Sequence, residues 1–262
     1  MRTRRAAAAA AALAALLACP RGGACQASPI WGCASLDRGV ALTYDDGPGV
    51  HTEALLDALA AGRATATFFV LSTAAAARPD TVRRAVAEGH AVGLHTATHA
   101  NLSALHAAGD WDALRREVDD AAEALAAVTG TRPRYFRPPF GALTPGVRDY
   151  LHERGFSIAL WTAGCIDWAL HDPPREIEVY ADGLPDAGGI LCLHDIHEST
   201  VNATAALLAA LRAGPGRWVN PQEREFISLD RCTGVGPEQV ERAVLLPRQG
   251  GGAFGARIAA AA

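Results

Sequence analysis

The sequence of 262 residues contains no lysine and has no excess of basic charge. Its 24 basic residues are all arginine, against 28 acidic residues, and the formal net charge is −4. The arginine preference is typical of a GC-rich genome rather than of a physical requirement. Because nucleic-acid binders need a basic face to neutralise phosphates, the charge argues against that class of protein. The composition also lacks the signatures of disordered and collagen-like chains, and the length suits one larger α/β domain.

The sequence also lacks an N-terminal apolar run long enough for a permanent membrane span, which needs roughly 20 residues. A run of Ala and Leu covers only residues 6–18, after three arginines and before several small residues. This pattern predicts a signal peptide over residues 1–27, cleaved after Ala24 or Ala27, and hence a secreted, cell-surface or periplasmic protein. Two alternatives remain: a lipoprotein anchor at Cys19, for which the following Pro20 is unfavourable, and an Ala-rich leader without function.

Cysteines are few, and no two of them form a C-x-x-C pair, which argues against zinc ribbons and thioredoxin-type sites. Removal of the leader leaves Cys33, Cys165, Cys192 and Cys232. Cys33 precedes the first predicted strand and Cys232 follows the last, so a Cys33–Cys232 disulfide would join the two ends of the domain in an oxidising compartment. Cys192 lies within an apolar run, where a buried free thiol is the simpler expectation.

Short apolar runs alternate with helix-length segments along the rest of the chain, which predicts βαβ units and a largely parallel sheet. About seven such units, with polar residues at the strand ends, favour a distorted (β/α) TIM-like barrel in a single domain over residues 33–232. A loosely ordered tail is expected over residues 234–262. The predicted strands are 40–44, 64–71, 91–94, 134–136, 156–161, 190–193 and 226–229, and the predicted helices are 52–60, 80–87, 112–128, 145–153 and 200–211.

Unusual polar residues follow several of the predicted strands. Asp45 and Asp46 end the first strand within TYDDGP, where two adjacent carboxylates are costly without a counter-charge, although Asp-Gly is also a common turn pair. His95 and His99, in HTATH, are four residues apart and can hold one metal ion from one side of a turn. Because Thr96 stands where H-E-x-x-H proteases have their general base, that class of site is not indicated.

Three further segments carry candidate functional groups. In RPPFG, two prolines stiffen the chain and would fix the directions of Arg137 and the N–H of Phe140, unless this is an ordinary proline-rich turn. In WTAGCIDW and LCLHDIH, Asp167 and His194 follow successive predicted strands, a pattern that suggests a histidine acid oriented by a carboxylate.

Together these residues resemble the NodB-type polysaccharide deacetylases, the fourth family of carbohydrate esterases. The resemblance covers about residues 40–232, and the five family motifs occur in order: TYDDGP, HTATH, RPPFG, a G-x-x-D-W form of the fourth motif, and CLHD. The resemblance implies a distorted (β/α) barrel, in agreement with the alternation of strands and helices. It also implies a metal-dependent hydrolase that acts on a polysaccharide.

The resemblance implies a role for each candidate residue. The metal ligands would be Asp46, His95 and His99, with Zn²⁺ as the expected ion and Co²⁺ or another divalent metal as the alternative. The remaining matches are Asp45 as general base, Arg137 as its partner, His194 as general acid, Asp167 as the carboxylate that orients this acid, the Phe140 N–H as an oxyanion donor, and Trp168 and Cys192 as walls of the acetyl pocket.

Three positions depart from the family pattern. Gly164 stands where the fourth motif usually opens with an Asp; because that Asp is not the one paired with the acid, we expect activity to survive. Cys192 stands where a leucine usually contacts the acetyl methyl group, so the pocket should stay apolar and become roomier. Phe140 replaces a more frequent tyrosine, but the oxyanion needs the backbone donor and not the ring.

The leading interpretation is a secreted, monomeric deacetylase of N-acetylglucosamine polymers, with chitin as the first candidate and peptidoglycan as the second. It predicts a polysaccharide partner, no nucleic acid and no permanent membrane span. An acetylxylan O-deacetylase would use the same groups. A non-haem iron oxygenase would share two histidines and a carboxylate, but would need neither Asp45 nor His194. A non-catalytic carbohydrate-binding relative would be indicated by the loss of Asp45, Asp46 or His194, and all three are present.

Overall fold

Seven parallel strands form a curled sheet with helices around it. The computed structural model describes residues 28–33, 39–185, 188–213 and 225–233, which all belong to one compact unit. The sheet order is β5-β4-β3-β2-β1-β7-β6. The strands are β1 (Val40–Asp45), β2 (Ala66–Val70), β3 (Ala91–Leu94), β4 (Tyr135–Phe136), β5 (Ser157–Ile158), β6 (Ala163–Gly164) and β7 (Gly189–His194).

The helices begin where the sequence supplies helix-start signals. Pro79, Pro145 and Pro173 each stand at the first residue of a helix. Four other residues directly precede a helix and cap its first turn with a side-chain oxygen: Asn101, Asp110, Thr144 and Asp172. The helices are α1 (Thr52–Ala61), α2 (Ser72–Ala77), α3 (Pro79–Ala87), α4 (Leu102–Ala107), α5 (Trp111–Arg115), α6 (Ala121–Thr129), α7 (Pro145–Glu153), α8 (Asp167–Leu170), α9 (Pro173–Gly183), α10 (Glu198–Ala213) and α11 (Leu229–Thr233), with a π turn at Arg116–Asp120 and a 3₁₀ turn at Pro139–Gly141.

The expected (β/α) barrel is confirmed, in the form of a half-barrel. In the described part of the chain, hydrogen-bonded ladders join every neighbouring pair in the order above, but none joins β5 to β6. Ile30 lies beside this opening, where it forms a parallel bridge with Ala159 and accepts a hydrogen bond from Leu160 N–H. The N-terminal segment therefore pairs with the chain just beyond β5.

Alternate residues of the strands face two separate apolar clusters, as the two-residue period of a strand requires. Leu42 and Phe68 belong to the larger cluster, which packs between the sheet and the helices. Ala41, Phe69 and Ile190 belong to a smaller cluster inside the curl. Every residue of β1 and β7 is buried. Polar residues that share the inner face of these strands are therefore held in a rigid, dry setting.

Some sequence predictions are wrong in detail. The strand expected at 226–229 is only a single bridge between Phe226 and Val40. Ser228 Oγ then accepts a hydrogen bond from Arg231 N–H and starts the helical turn of α11. The helix expected at 112–128 is interrupted by the π turn at Arg116–Asp120. Strand β6 and helices α2, α4, α8 and α9 were not predicted, because they are short or rich in proline and charge.

The predicted Cys33–Cys232 disulfide is present, with Cα atoms 4.4 Å apart and a sequence separation of 199. The predicted leader (1–27) and tail (234–262) lie outside the described residues and stay predictions. Among the described helices, none combines the length and the apolar character of a membrane span.

Candidate active site

The carboxyl ends of the strands bring the predicted site residues to one edge of the sheet. Asp45 ends β1, His194 ends β7, and the two are paired in the β1–β7 register. His95 directly follows β3, and Arg137 directly follows β4. Because the strands are parallel and adjacent, residues far apart in sequence meet here, as at the carboxyl face of other parallel barrels.

Asp46, His95 and His99 form a three-residue cluster whose ligand atoms lie within 4.8 Å of one another. Asp46 Oδ1 lies 3.4 Å from Nε2 of His95 and 3.4 Å from Nε2 of His99. Asp46 and His99 both adopt left-handed backbone conformations, with φ of 74° and 65°. Such conformations are uncommon outside glycine, and they concentrate at functional sites.

The donor set of this cluster fits a divalent metal ion. Asp46 Oδ1 is buried and has no hydrogen-bond partner among the described residues. His95 Nδ1 lies 2.6 Å from the Arg137 carbonyl oxygen, an arrangement in which Nδ1–H donates and Nε2 keeps its lone pair. Burial lowers the pKa of His95, which favours the neutral imidazole that a metal requires. Two imidazoles and one carboxylate leave coordination positions open, as in catalytic zinc sites.

Glu117 holds the loop that carries the two histidines, and sequence reasoning missed it. Its carboxylate accepts hydrogen bonds from the N–H groups of Ala97 and Thr98, each 3.0 Å long, and from Thr98 Oγ1 at 2.7 Å. Glu117 belongs to the π turn, a helix defect that is frequent at functional sites. In the sequence, Glu117 is only an acidic residue 18 positions after His99, and this spacing does not predict a contact with the histidine loop.

Arg137 is fully buried and fixes Asp45 from the inside of the curl. Its Nη1 donates to Asp45 Oδ1 at 2.7 Å and to Thr43 Oγ1 at 2.8 Å. Its Nε and Nη2 donate to the carbonyl oxygens of Ala159 and Leu160. The guanidinium also lies over the ring of Phe69, 4.1 Å from the ring centre. A buried ion pair is costly unless its remaining donors are satisfied, and these contacts engage four of the five N–H donors of Arg137.

His194 and Asp167 form a second buried pair beside Asp45. His194 Nδ1 lies 2.6 Å from Asp167 Oδ1, and His194 N–H donates to Asp167 Oδ2. Thr200 Oγ1 donates to the same oxygen. Burial alone lowers the pKa of His194, but hydrogen bonds with Asp167 and Cys165 and the charges of Asp167 and Asp45 raise it to about 11. The same contacts outweigh burial at Asp167 and lower the pKa of its carboxyl.

Phe140 and Trp168 are large, exposed side chains next to the candidate residues, with 67% and 59% of their surfaces accessible to solvent. The Phe140 ring packs edge-on against His99, at 4.6 Å between ring centres. Trp168 Nε1 donates to the Cys165 carbonyl oxygen. The Phe140 ring therefore has a contact with a candidate ligand that the sequence interpretation had not given it.

Cys192 lies in β7, fully buried as expected, with its Sγ 3.6 Å from Asp45 Oδ2. Cys165 lies beside it, and sequence reasoning gave Cys165 no role. A hydrogen bond with Cys192 lowers the pKa of the Cys165 thiol to about 6, whereas burial raises the pKa of Cys192 well above its ordinary value. Both are free thiols in the structure.

The backbone explains why glycine stands at position 164. Gly164 has a φ of 92°, and a Cβ atom there would lie 2.3 Å from the Cys192 carbonyl oxygen. A side chain at this position would therefore require a different approach of β6 to β7.

Asp195 is a second buried carboxylate that the sequence interpretation missed, although it stands inside CLHD. Burial raises the pKa of Asp195 to about 7, and the charges of Asp46 and Asp45 raise it too. Thr52 Oγ1 donates to Asp195 Oδ2 and accepts a hydrogen bond from Gly49 N–H. This chain of hydrogen bonds links the end of β7 to the loop that follows Asp46.

Comparisons with known proteins agree with this arrangement. The family described as polysaccharide deacetylase matches residues 34–159. The chain is 35% identical to the peptidoglycan-N-acetylglucosamine deacetylase of Bacillus cereus over 180 residues, 65% of this chain and 64% of the relative. It is 34% identical to the chitin deacetylase of Colletotrichum lindemuthianum over 212 residues, 76% of this chain and 81% of the relative. A solved structure of the chitin deacetylase from that fungus superposes with a TM-score of 0.70 and 31% identity, over 81% of this chain and 94% of the other.

The extent of the matches differs between relatives. The chain spans 64% of the length of the Bacillus cereus relative and 40% of that of the peptidoglycan-N-acetylglucosamine deacetylase PgdA of Listeria monocytogenes. The fungal relative is matched over most of its length. With this coverage, and with the family motifs gathered at one edge of the sheet, the chain belongs to the polysaccharide deacetylase family.

Proposed function

We propose that the protein is a metal-dependent hydrolase that removes N-acetyl groups from polymers of N-acetylglucosamine and releases acetate. The observation that carries this proposal is the placement of two distinct groups of residues at one edge of the sheet. Asp46, His95 and His99 offer ligand atoms within 4.8 Å of one another, and the Asp167–His194 pair lies beside Asp45 at the end of the neighbouring strand.

Asp46, His95 and His99 would hold the metal ion, for which zinc is the first candidate and cobalt the second. A divalent cation bound there would supply Lewis-acid chemistry towards the amide carbonyl and the attacking water. The geometry of His95 supports this assignment, since its Nδ1 is engaged by the Arg137 carbonyl oxygen and its Nε2 faces Asp46.

Asp45 would take the proton from the attacking water. Its Oδ1 is bound by Arg137 at 2.7 Å, so the carboxylate is held in one orientation. The proton would go to Oδ2, which also accepts a long hydrogen bond from the Cys192 thiol at 3.6 Å and has a second lone pair. General-base catalysis of this kind requires a fixed base within hydrogen-bond reach of the water. The Phe140 N–H would donate a hydrogen bond to the carbonyl oxygen as negative charge develops there.

His194 would give a proton to the leaving nitrogen as the C–N bond breaks. Asp167 engages Nδ1, so the proton to be transferred is the one on Nε2. The raised pKa of about 11 supports this role, because the imidazolium is the form that can donate. Acid and base are thus separate residues, so that one can gain a proton while the other gives one up.

Chitin is the first candidate substrate and peptidoglycan the second, since relatives of similar identity are named for each. The test is acetate release from chitin oligomers, peptidoglycan and acetylxylan side by side, with the Asp46→Ala variant as the matched control. We expect acetate from at least one N-acetylated substrate and none from the variant. Release from acetylxylan alone would contradict N-deacetylation.

We also infer that the protein is exported. The Cys33–Cys232 disulfide supports this location, because such bonds persist mainly in oxidising compartments. Cell fractionation of the full-length chain tests it, and recovery of the uncleaved chain in the cytosol would contradict it.

A further inference from the structure

Cys165, Cys192 and His194 form a second cluster of candidate metal ligands, separate from Asp46, His95 and His99. The two sulfur atoms and a ring nitrogen of His194 all lie within 4.8 Å of one another. Tetrahedral zinc with ligands at about 2.0–2.3 Å separates its ligand atoms by roughly 3.3–3.8 Å. Side-chain adjustments of about an ångström or less would therefore bring the three atoms onto one ion.

The backbone holds these three side chains together. Cys192 and His194 are two residues apart in β7 and so point to the same face of the sheet. Cys165 follows Gly164, adopts a left-handed φ of 65°, and donates its N–H to the Cys192 carbonyl oxygen at 2.6 Å. Because Gly164 has no Cβ, β6 can lie against β7 closely enough for this contact.

His194 is oriented as a metal-binding histidine would be. Asp167 lies 2.6 Å from Nδ1, which leaves Nε2 as the ring nitrogen available to a ligand. A carboxylate behind a histidine in this way fixes the ring and makes the other nitrogen a better donor. Cys165 is partly exposed, whereas Cys192 and His194 are buried, so a cation would reach the cluster from the Cys165 side.

We propose that Cys165, Cys192 and His194 form a second, inhibitory metal site selective for thiophilic divalent cations such as Cd²⁺ or excess Zn²⁺. Two thiolates and one imidazole are soft ligands, whereas the first cluster offers only nitrogen and oxygen. Binding displaces the protons that remain on the two sulfur atoms and the proton on Nε2 of His194, because the ligands must be thiolates and a neutral imidazole nitrogen. With Nε2 ligated, His194 has no proton to give to a leaving amine.

The experiment is a titration of the full-length protein, with its Cys33–Cys232 disulfide intact, with Cd²⁺, following bound metal per chain and the thiolate-to-cadmium absorption band. We expect Cys165→Ser to bind one Cd²⁺ fewer than the wild type and to lack the band. Removal of this direct ligand should weaken binding by more than the roughly 10–100-fold that loss of an outer-shell partner costs. Cys25→Ser, which removes a cysteine elsewhere in the chain, is the matched control and should retain the wild-type band.

Inhibition is measured as the fraction of each variant's own deacetylase rate that remains at saturating Cd²⁺. We expect the wild type to lose its activity and Cys165→Ser to keep most of its own. Cys192→Ala should behave like Cys165→Ser, and a melting curve checks that this buried change is tolerated. Equal Cd²⁺ binding and an equal band in wild type and Cys165→Ser would overturn the proposal, as would a Cys165–Cys192 disulfide in the purified protein. The binding measurements stand whether or not the protein deacetylates chitin.

Discussion

His95 and His194 are both buried at the carboxyl end of the sheet, and each holds Nδ1 2.6 Å from an oxygen. The oxygen that faces His95 is the backbone carbonyl of Arg137, which carries no net charge. The oxygen that faces His194 belongs to the carboxylate of Asp167. The two imidazoles therefore share burial and hydrogen-bond length, and differ in the charge of the partner.

That difference shifts the pKa values of His95 and His194 in opposite directions. Burial dominates at His95 and lowers its pKa, so the ring is neutral and can bind a metal. At His194 the hydrogen bond and charge of Asp167 outweigh burial and raise the pKa to about 11, so the ring is cationic and can donate a proton. One residue type thus serves as ligand or as acid according to what lies behind its Nδ1.

Replacing each histidine with alanine should separate the two roles most strongly. We expect His194→Ala to lower kcat/KM by roughly 10²–10⁴-fold, the usual contribution of a general acid, while one equivalent of metal stays bound. His95→Ala should lose both activity and that metal. Bound metal by elemental analysis and kcat/KM for both variants test this, with His152→Ala on α7 as the control. Loss of the metal from His194→Ala would contradict the division of roles.

Weakening the hydrogen bonds that hold the loop carrying His95 and His99 should have the next largest effect on metal binding. Glu117→Gln leaves every proposed ligand in place, but presents an NH₂ group where the loop now meets a carboxylate. We expect metal affinity to fall by roughly 10–100-fold, as for other outer-shell partners. Competition with a chelator measures the affinity, and Asp112→Asn on the exposed surface of the neighbouring helix is the control. Unchanged affinity in Glu117→Gln would mean that the loop holds its shape without this carboxylate.

Replacing Asp167, the partner of His194, should lower the pKa of His194 and so make its titration more like that of His95. Activity requires the imidazolium, so it falls as pH rises through the pKa of His194 and gives the basic limb of the kcat/KM profile. Asp167→Asn removes the charge that raises this pKa while burial still lowers it, so the basic limb should move to lower pH. Each unit of movement corresponds to about 1.4 kcal/mol of lost interaction with the cation. Asp172→Asn, at the exposed cap of α9, should leave the limb in place.

Much of the fold and site could be predicted because the deciding signals are local. Strands β1, β3 and β7 are short apolar runs that end at polar residues, and β3 has the predicted bounds. The candidate ligands and the acid are adjacent to those strand ends, so placing the strands also placed the side chains. The parallel order then brought them to one edge, as the barrel prediction required.

The residues that were missed reach the site through tertiary contacts. Glu117 lies in a helical segment whose apolar period looks continuous, and only the π turn directs its carboxylate to the histidine loop. Cys165 meets Cys192 because of the β6–β7 register, and β6 is only two residues long. Asp195 was visible inside CLHD, but its contact with Thr52, the first residue of α1, is a tertiary contact between residues 143 positions apart. None of these contacts corresponds to a periodic pattern of residues in the sequence.

Removal of the Cys33–Cys232 disulfide should have the smallest effect on metal binding by His95 and on the pKa of His194. Cys232 belongs to the inner cluster with Ala41, and Asp230, two residues before it, accepts a hydrogen bond from Tyr135 at the start of β4. The bridge thus lies towards the amino ends of the strands, opposite the site. With a sequence separation of 199 between its cysteines, it should stabilise the folded state by about 5 kcal/mol on the chain-entropy model.

The test is the double variant Cys33→Ala/Cys232→Ala, studied by thermal melting and by the same pH profile as Asp167→Asn. We expect a lower Tm and, in the protein that remains folded, an unchanged basic limb and unchanged metal content. The reason is that the pKa of His194 depends on Asp167, Cys165 and Asp45, none of which contacts the bridge. A basic limb that shifts in the double variant would contradict this expectation. It would mean that the Asp167–His194 contact depends on the disulfide at the other end of the sheet. The local hydrogen bonds of Asp167 with Thr200 and with the His194 backbone would then not be enough to fix it.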